Sequence, residues 1–174
     1  MPAPENTFKV ALAAGQRQIG CWLSLSSPSS AEIVGSAGFD WALIDAEHAP
    51  NGIPEILAQL RALDGRAAHP VVRVPIGEAW ILKQVLDLGV QSVLVPMVNS
   101  AAEAARMVRA VRYPPEGIRG LGSALARASD YNAVPDYPAT ANREICLIVQ
   151  AESRAAIDDI DAIAATDGVD AVFI

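Results

Sequence analysis

The chain has 174 residues, 52% of them hydrophobic, with a mean hydropathy of +0.27 and a formal net charge of −7. That length suits one domain with a substantial core, and the negative balance argues against nucleic acid and anionic membranes as partners. No apolar run approaches the ~18 residues of a membrane span and no basic-then-apolar leader opens the chain, so a cytoplasmic protein is expected, its apolar excess spent on a sheet buried on both faces or on subunit contacts.

Helix and strand signals alternate without a linker. Asn6 to Ala14 reads as a leading helix closed by Gly15, and Ile19 to Ser24 as the first strand. Ser27-Pro28 supplies a cap and a first-turn proline for a helix ending near Gly38. The second strand, Asp40 to Asp45, runs into Ala46-Glu47-His48-Ala49-Pro50-Asn51-Gly52, and Pro54 opens a helix to about Leu63. Pro70 to Pro75 is a third strand, followed by a helix over about Glu78 to Leu88 and a fourth strand, Gln91 to Pro96. Ser100 with Glu103 makes a capping box for the next helix. From Tyr113 to Tyr137 the pattern is irregular, too long for a routine connection. Ile145 to Gln150 is a fifth strand, Ser153 caps a fifth major helix, and Val169 to Ile174 is a sixth strand. Cys21 and Cys146 both fall in apolar strand-like runs and read as reduced core residues.

One unit recurs, a glycine closing a helix and then a strand: Gly38-Phe39-Asp40-Trp41-Ala42-Leu43-Ile44, Gly89-Val90-Gln91-Ser92-Val93-Leu94-Val95 and Gly168-Val169-Asp170-Ala171-Val172-Phe173-Ile174. Repeated βα units give an open doubly wound sheet or a closed barrel. No glycine-rich phosphate fingerprint follows the first strand, and polar groups follow several different strands, which favours the barrel. Six strands do not close a barrel of eight, which typically needs ~250 residues. The chain ends where the earlier copies reach Asp45 and Pro96, so a single (β/α) barrel domain over residues 1–174, cut off at its active-site rim, is expected.

Ligands bind at the carboxyl ends of parallel strands, and Asp45, Glu47 and His48 cluster at one such end. An Asp beside a His suggests a general-base dyad, with a solvated charged loop as the plain alternative. His69 precedes Pro70 at a strand's entry, the wrong end for catalysis, and is expected at the surface. Arg73, the one charge in Val71-Val72-Arg73-Val74-Pro75, is half of a buried ion pair or a clamp for an anionic substrate. Gln150 and Glu152, two apart at a strand end, share a side. Glu152 can take Mg²⁺ or Mn²⁺, or merely favour the helix start at Ser153.

Trp22-Leu23-Ser24-Leu25-Ser26-Ser27, Ala37-Gly38-Phe39-Asp40-Trp41, Ile44-Asp45 through Asn51, Leu94-Val95-Pro96-Met97-Val98 and Arg112-Tyr113-Pro114-Pro115-Glu116-Gly117-Ile118-Arg119-Gly120 together resemble the 4-hydroxy-2-oxoheptanedioate aldolases. These belong to the class II pyruvate aldolases related to the citrate lyase beta chain. The resemblance implies a (β/α)8 TIM barrel, of which this chain covers about the first six strands. It implies a homo-oligomer, a hexamer, that cleaves 4-hydroxy-2-oxo acids to pyruvate and an aldehyde in aromatic-compound catabolism with Mn²⁺, Mg²⁺ or Co²⁺. By the same resemblance His48 is the base, Arg73 stabilises the enolate, Glu152 is one metal ligand and Gln150 contacts substrate. The second metal ligand is an Asp in a Gly-Pro-Ala-Asp segment after the sixth strand, beyond Ile174. The resemblance also implies that Asp87 increases the basicity of the histidine, which from its place near a helix end requires a neighbouring subunit; the plain alternative is a solvated helix-end carboxylate.

That chemistry suits the residue types. Cleavage beside a 2-oxo acid leaves an enolate that a divalent cation and Arg73 can hold, while His48 oriented by Asp45 takes the 4-hydroxyl proton. Lys83 lies mid-helix, so no lysine stands in a Schiff-base position, and Trp22, at the end of the first strand, would line the pocket or serve as plain core. A related aldolase acting on 2-keto-3-deoxy sugar acids, an acyl-CoA lyase of the citrate lyase type and a non-catalytic barrel are the alternatives.

Overall fold

The computed structural model describes residues 1–174. In chain order it runs α1 (Thr7–Ala13), β1 (Gly20–Leu23), α2 (Pro28–Gly35), β2 (Trp41–Asp45), α3 (Ile53–Leu63), β3 (His69–Arg73), α4 (Ala79–Asp87), β4 (Ser92–Val95), α5 (Ala101–Val111), α6 (Tyr137–Glu144), β5 (Cys146–Gln150), α7 (Arg154–Asp158), α8 (Ile160–Ala164) and β6 (Ala171–Phe173). The strands form one parallel sheet in the order β1-β2-β3-β4-β5-β6. A doubly wound sheet reverses its strand order at a switch point. Here the order never reverses, so right-handed crossovers place successive helices on one face and the sheet curls into part of a barrel.

The three recurring glycines make this repetition possible. Gly38, Gly89 and Gly168 have φ of +93°, +97° and +94°, a region closed to most side chains, and each turns a helix end into the next strand. At Gly168 a Cβ would also lie 2.6 Å from Val108 Cγ1. Alternation along each strand then sorts the apolar side chains. Ala42, Ile44, Val72, Val93, Val95, Leu147 and Val149 face the helices in the main core. Leu43, Val71, Leu94 and Cys146 point into the curl, where Phe8 of α1 packs on them. Burial pushes the Cys146 thiol up to about 12, which makes it inert packing; both cysteines are free. Helix α1 lies at the amino ends of the strands, held by Asn6 Nδ2 donating to Ser92 Oγ (3.1 Å) and by Lys9–Asp170 (3.1 Å). The opposite, carboxyl edge stays free for chemistry. No helix is long and apolar enough to cross a membrane.

Three sequence expectations change. The irregular stretch after Tyr113 does carry short 3-10 turns at Ser123–Leu125 and Arg127–Ser129, but helix begins within its end, at Tyr137. The fifth major helix is two short ones, α7 and α8, meeting at Asp159, whose carboxylate accepts the Ala101 N–H at 2.8 Å. His69 is half-buried rather than exposed. Its ring stacks on Phe8, with 5.6 Å between centroids, and Nε2 lies 3.0 Å from Ser92 Oγ.

Burial pushes His69 down from 6.5 to about 4. Between those values the unfolded chain binds a proton that the folded chain refuses. The contribution is therefore complete above 6.5 and lost as pH falls, by ~1.4 kcal/mol per unit. Denaturant melts at pH 6.5 and pH 5 should show wild type losing about 2 kcal/mol more than His69→Gln; equal losses would mean that the ring titrates freely.

Candidate active site

The register pairs Asp45 with Arg73 at the carboxyl ends of β2 and β3, both pointing into the curl. Arg73 Nε and Nη2 donate to Asp45 Oδ1 and Oδ2 at 2.8 and 2.9 Å, a two-pronged pair on one edge of the guanidinium. Glu47 Oε2 sits 3.0 Å from Nη1, and the guanidinium carbon lies 4.5 Å above the Trp22 ring centroid. The Arg73 side chain is only 9% exposed. Burial works to raise the Asp45 carboxyl, but the Arg73 hydrogen bonds, the Glu47 N–H, the Arg73 charge and the His48 N–H together hold it below the usual carboxylate value. Burial likewise works against the Arg73 charge and is outweighed by Asp45, Glu47 and Glu152, so the guanidinium stays charged.

Arg73 is therefore not partnered by substrate alone, as a clamp would be: it is half of a buried ion pair in the free protein. Nor is Asp45 the orienting partner of His48. Its carboxylate reaches His48 only through the backbone N–H, at 3.4 Å, because both oxygens are committed to Arg73. The His48 ring is 74% exposed, and its one carboxylate neighbour is Glu47, with Oε1 3.7 Å from Nε2.

Across the same edge, Gln150 and Glu152 share a side as the strand period requires, with Gln150 Nε2 donating to Glu152 Oε2 at 2.8 Å. Glu152 Oε1 accepts the N–H of Met97, a residue at φ +55° just past β4. The carbonyl oxygen Oε1 of Gln150 is buried without a partner. Glu152 is near enough to act electrostatically on Arg73, so the structure brings Trp22, Asp45, Glu47, Arg73, Gln150 and Glu152 to one edge.

Two buried amides that the sequence reading passed over fix the loop carrying His48. Asn51 Nδ2 donates to the Asp45 carbonyl at 2.6 Å, and Gln59 Nε2 of α3 donates to Asn51 Oδ1 at 2.7 Å. Nothing in the local pattern marks them, since amides in a loop and a helix read as solvated. Glu47 had a readable signal: it stands two residues beyond Asp45, as Glu152 stands two beyond Gln150.

Asp87 is not brought to this edge. It ends α4, which returns the chain to the amino edge, and its Oδ1 pairs with Arg119 Nη2 at 2.7 Å. Arg119 is fully buried and lies 4.3 Å over the Tyr113 ring centroid. Lys83 lies mid-α4, away from any strand end.

A curled parallel sheet with ionisable groups gathered at the carboxyl ends of its strands is the plan of a TIM-barrel-type enzyme site. The sequence pattern of the HpcH/HpaI aldolase/citrate lyase family matches residues 18–174, and the chain belongs to that family of aldolases and lyases. It is 59% identical over 174 residues to a hydroxypyruvate/pyruvate aldolase of Roseovarius nubinhibens, covering 100% of this chain and 68% of the relative. It is 54% identical over 169 residues to a 5-keto-4-deoxy-D-glucarate aldolase of Salmonella arizonae, covering 97% and 66%. The crystal structure of an HpcH/HpaI aldolase/citrate lyase family protein from Burkholderia cenocepacia superposes with a TM-score of 0.92 at 40% identity, over 96% of this chain and 67% of that one. The chain thus spans about two thirds of the length of the relatives it matches. These relatives bear hydroxypyruvate and sugar-acid names, so the sequence resemblance stands for the family and not for the heptanedioate enzyme.

Removing Arg73 leaves the mostly buried Asp45 and Glu47 carboxylates without their shared cation. Arg73→Ala should cost ~3–5 kcal/mol in a denaturant melt at pH 7. The Asp45 share should be complete above its ordinary value of 3.8 and vanish as pH falls below it, since folding lowers that pKa. A folded Arg73→Ala protein as stable as wild type would show that the pair is idle.

Proposed function

We propose that these residues form the larger part of the active site of a metal-dependent pyruvate aldolase, an incomplete turn of a (β/α)8 barrel that works as a homo-oligomer. The observation that carries the reading is a charged guanidinium at the same strand edge as the Gln150–Glu152 pair, close enough to feel the Glu152 charge.

The substrate is a 4-hydroxy-2-oxo acid with its 2-oxo-carboxylate end toward Arg73 and Gln150. His48 takes the proton of the 4-hydroxyl; the C3–C4 bond breaks as the C4 carbonyl forms, and its electron pair moves to the former keto oxygen as an enolate. Arg73, already oriented by Asp45, lies ready to hold that charge without reorganising. The aldehyde leaves, and protonation at C3 gives pyruvate. Trp22 covers one face of the guanidinium and keeps water from it.

The donors fit a hard dication in kind. Glu152 offers a carboxylate and Gln150 a buried carbonyl oxygen with no partner, although no three His, Cys, Asp or Glu side chains gather to hold a metal alone. Glu152 would hold the ion, which would supply further positive charge beside the enolate oxygen. The names of the relatives favour hydroxypyruvate or pyruvate as the nucleophile and a sugar-acid skeleton over heptanedioate. Exposed Trp80, Leu121 and Leu125 support self-association.

In the protein expressed with its full reading frame, pyruvate release from 5-keto-4-deoxyglucarate should exceed that from 4-hydroxy-2-oxoheptanedioate. Exhaustive chelation should abolish it, and Mn²⁺, Mg²⁺ or Co²⁺ should restore it. Activity that survives chelation and is trapped by borohydride would instead indicate an imine. His48→Ala should lower kcat ~10²–10⁴-fold; wild-type turnover in that variant would return the loop to solvent.

A further inference from the structure

We propose that Glu47 is a positioning residue for His48: its carboxylate, anchored on Arg73, holds the imidazole over the strand edge and stabilises the imidazolium that forms when the base takes its proton. The inference rests on the aldolase reading and assigns a role to a side chain that reading leaves without one.

Asp45 and Glu47 divide the work between them. Asp45 spends both oxygens on the Nε/Nη2 edge of Arg73, and its carbonyl is held by Asn51. It cannot turn toward His48 without breaking a buried ion pair, which is expensive. Glu47 has one oxygen toward each neighbour, Oε2 at 3.0 Å from Arg73 Nη1 and Oε1 at 3.7 Å from His48 Nε2. Oε2 is buried and makes no aligned hydrogen bond, so what ties it to Arg73 is charge. The side chain is mostly buried while the imidazole beside it is 74% exposed. A buried anion beside an exposed ring is an arrangement that can orient the ring.

At 3.7 Å the imidazole contact is too long for a hydrogen bond. Contacts of catalytic bases are often long before substrate binds and tighten in the complex. With Nε2 toward Glu47, Nδ1 is the nitrogen left to receive the substrate proton. The surrounding charges are Asp45, which meets His48 only at its N–H, Arg73 on the other oxygen of Glu47, Glu152 acting on Arg73, and Glu55 at the start of α3, whose carboxylate accepts the Gly52 N–H. Within this chain no second carboxylate lies within 4 Å of the imidazole. Arg73, in contrast, would keep its Asp45 fork and its seat on Trp22 without Glu47. Loss of Glu47 should therefore damage the base more than Arg73.

The test is steady-state kinetics of the full protein with a 4-hydroxy-2-oxo acid and Mn²⁺, comparing wild type, Glu47→Gln and Glu47→Asp. Glu47→Gln should lower kcat about tenfold or more while KM stays within about threefold, and Glu47→Asp should fall between it and wild type. The His48 ring resonance, assigned with His48→Ala, should show faster ring motion in Glu47→Gln, a readout that does not need turnover. If Glu47→Gln does not fold, Glu47→Asp carries the same split, because its shorter side chain keeps the charge near Arg73 and withdraws it from the imidazole. Unchanged kcat, a rise in KM at constant kcat, or an imidazole equally ordered without Glu47 would overturn the proposal. Wild-type protein inert toward 4-hydroxy-2-oxo acids would overturn the aldolase reading itself, an outcome separate from an active wild type with an equally active Glu47→Gln.

Discussion

The ion pair between Arg73 and Asp45 is the constraint on which the rest of the carboxyl edge depends. A guanidinium at 9% exposure has lost most of its water, and that loss is offset only if its N–H groups meet anions in good geometry. The parallel register supplies this by setting Asp45 level with Arg73 on the adjacent strand. Once the pair forms, the direction of the guanidinium is settled, Trp22 takes its face, and Glu47 is drawn to Nη1. The pair also draws Asp45 away from the histidine three residues later. Both Asp45 oxygens are thus held by Arg73, and the carboxylate near the imidazole in this chain is that of Glu47.

The sequential parallel order gives the two ends of the sheet different characters. At the amino edge α1 closes the curl with Phe8, Asn6 and Lys9, and His69 is held neutral in the resulting apolar layer. Between the ends lies an apolar hollow of about 200 Å³ lined by residues such as Leu43, Val71, Leu94 and Ile148, with no side chain suited to acid–base work. Polar chemistry begins one step further along the strands, where the inward positions change from Leu43, Val71 and Ile148 to Asp45, Arg73 and Gln150. A single two-residue advance on several strands therefore separates apolar packing from the polar carboxyl edge, as the two-residue period of a strand requires.

Arg119 shows the same physics turned to structure alone. Fully buried, it pairs with Asp87 and lies over Tyr113, in a part of the fold far along the chain from the strand edge. Burial, with Tyr137 and Asp87 adding to it, pushes the Tyr113 hydroxyl up to about 12, against the opposing pull of the Arg119 charge, so the ring remains a neutral platform. In a single chain Asp87 is thus an anchor for the irregular stretch after Tyr113.

Much of this molecule was already determined by its sequence. Glycines that permit positive φ, placed where each helix ends, together with short apolar strands and capping serines, dictate a repeating βα unit, because these are local steric and hydrogen-bonding demands. The same local logic put Gln150 and Glu152 on one side and marked the end of β2 as the chemical edge. Tertiary structure alone decided how the charges pair. Whether Asp45 serves His48 or Arg73 depends on the register between two strands 28 residues apart, and the low dielectric of a buried edge then makes that choice decisive. The burial of His69 under Phe8 and the grip of Gln59 on Asn51 are likewise contacts between distant segments, and nothing in the residues flanking them specifies those contacts.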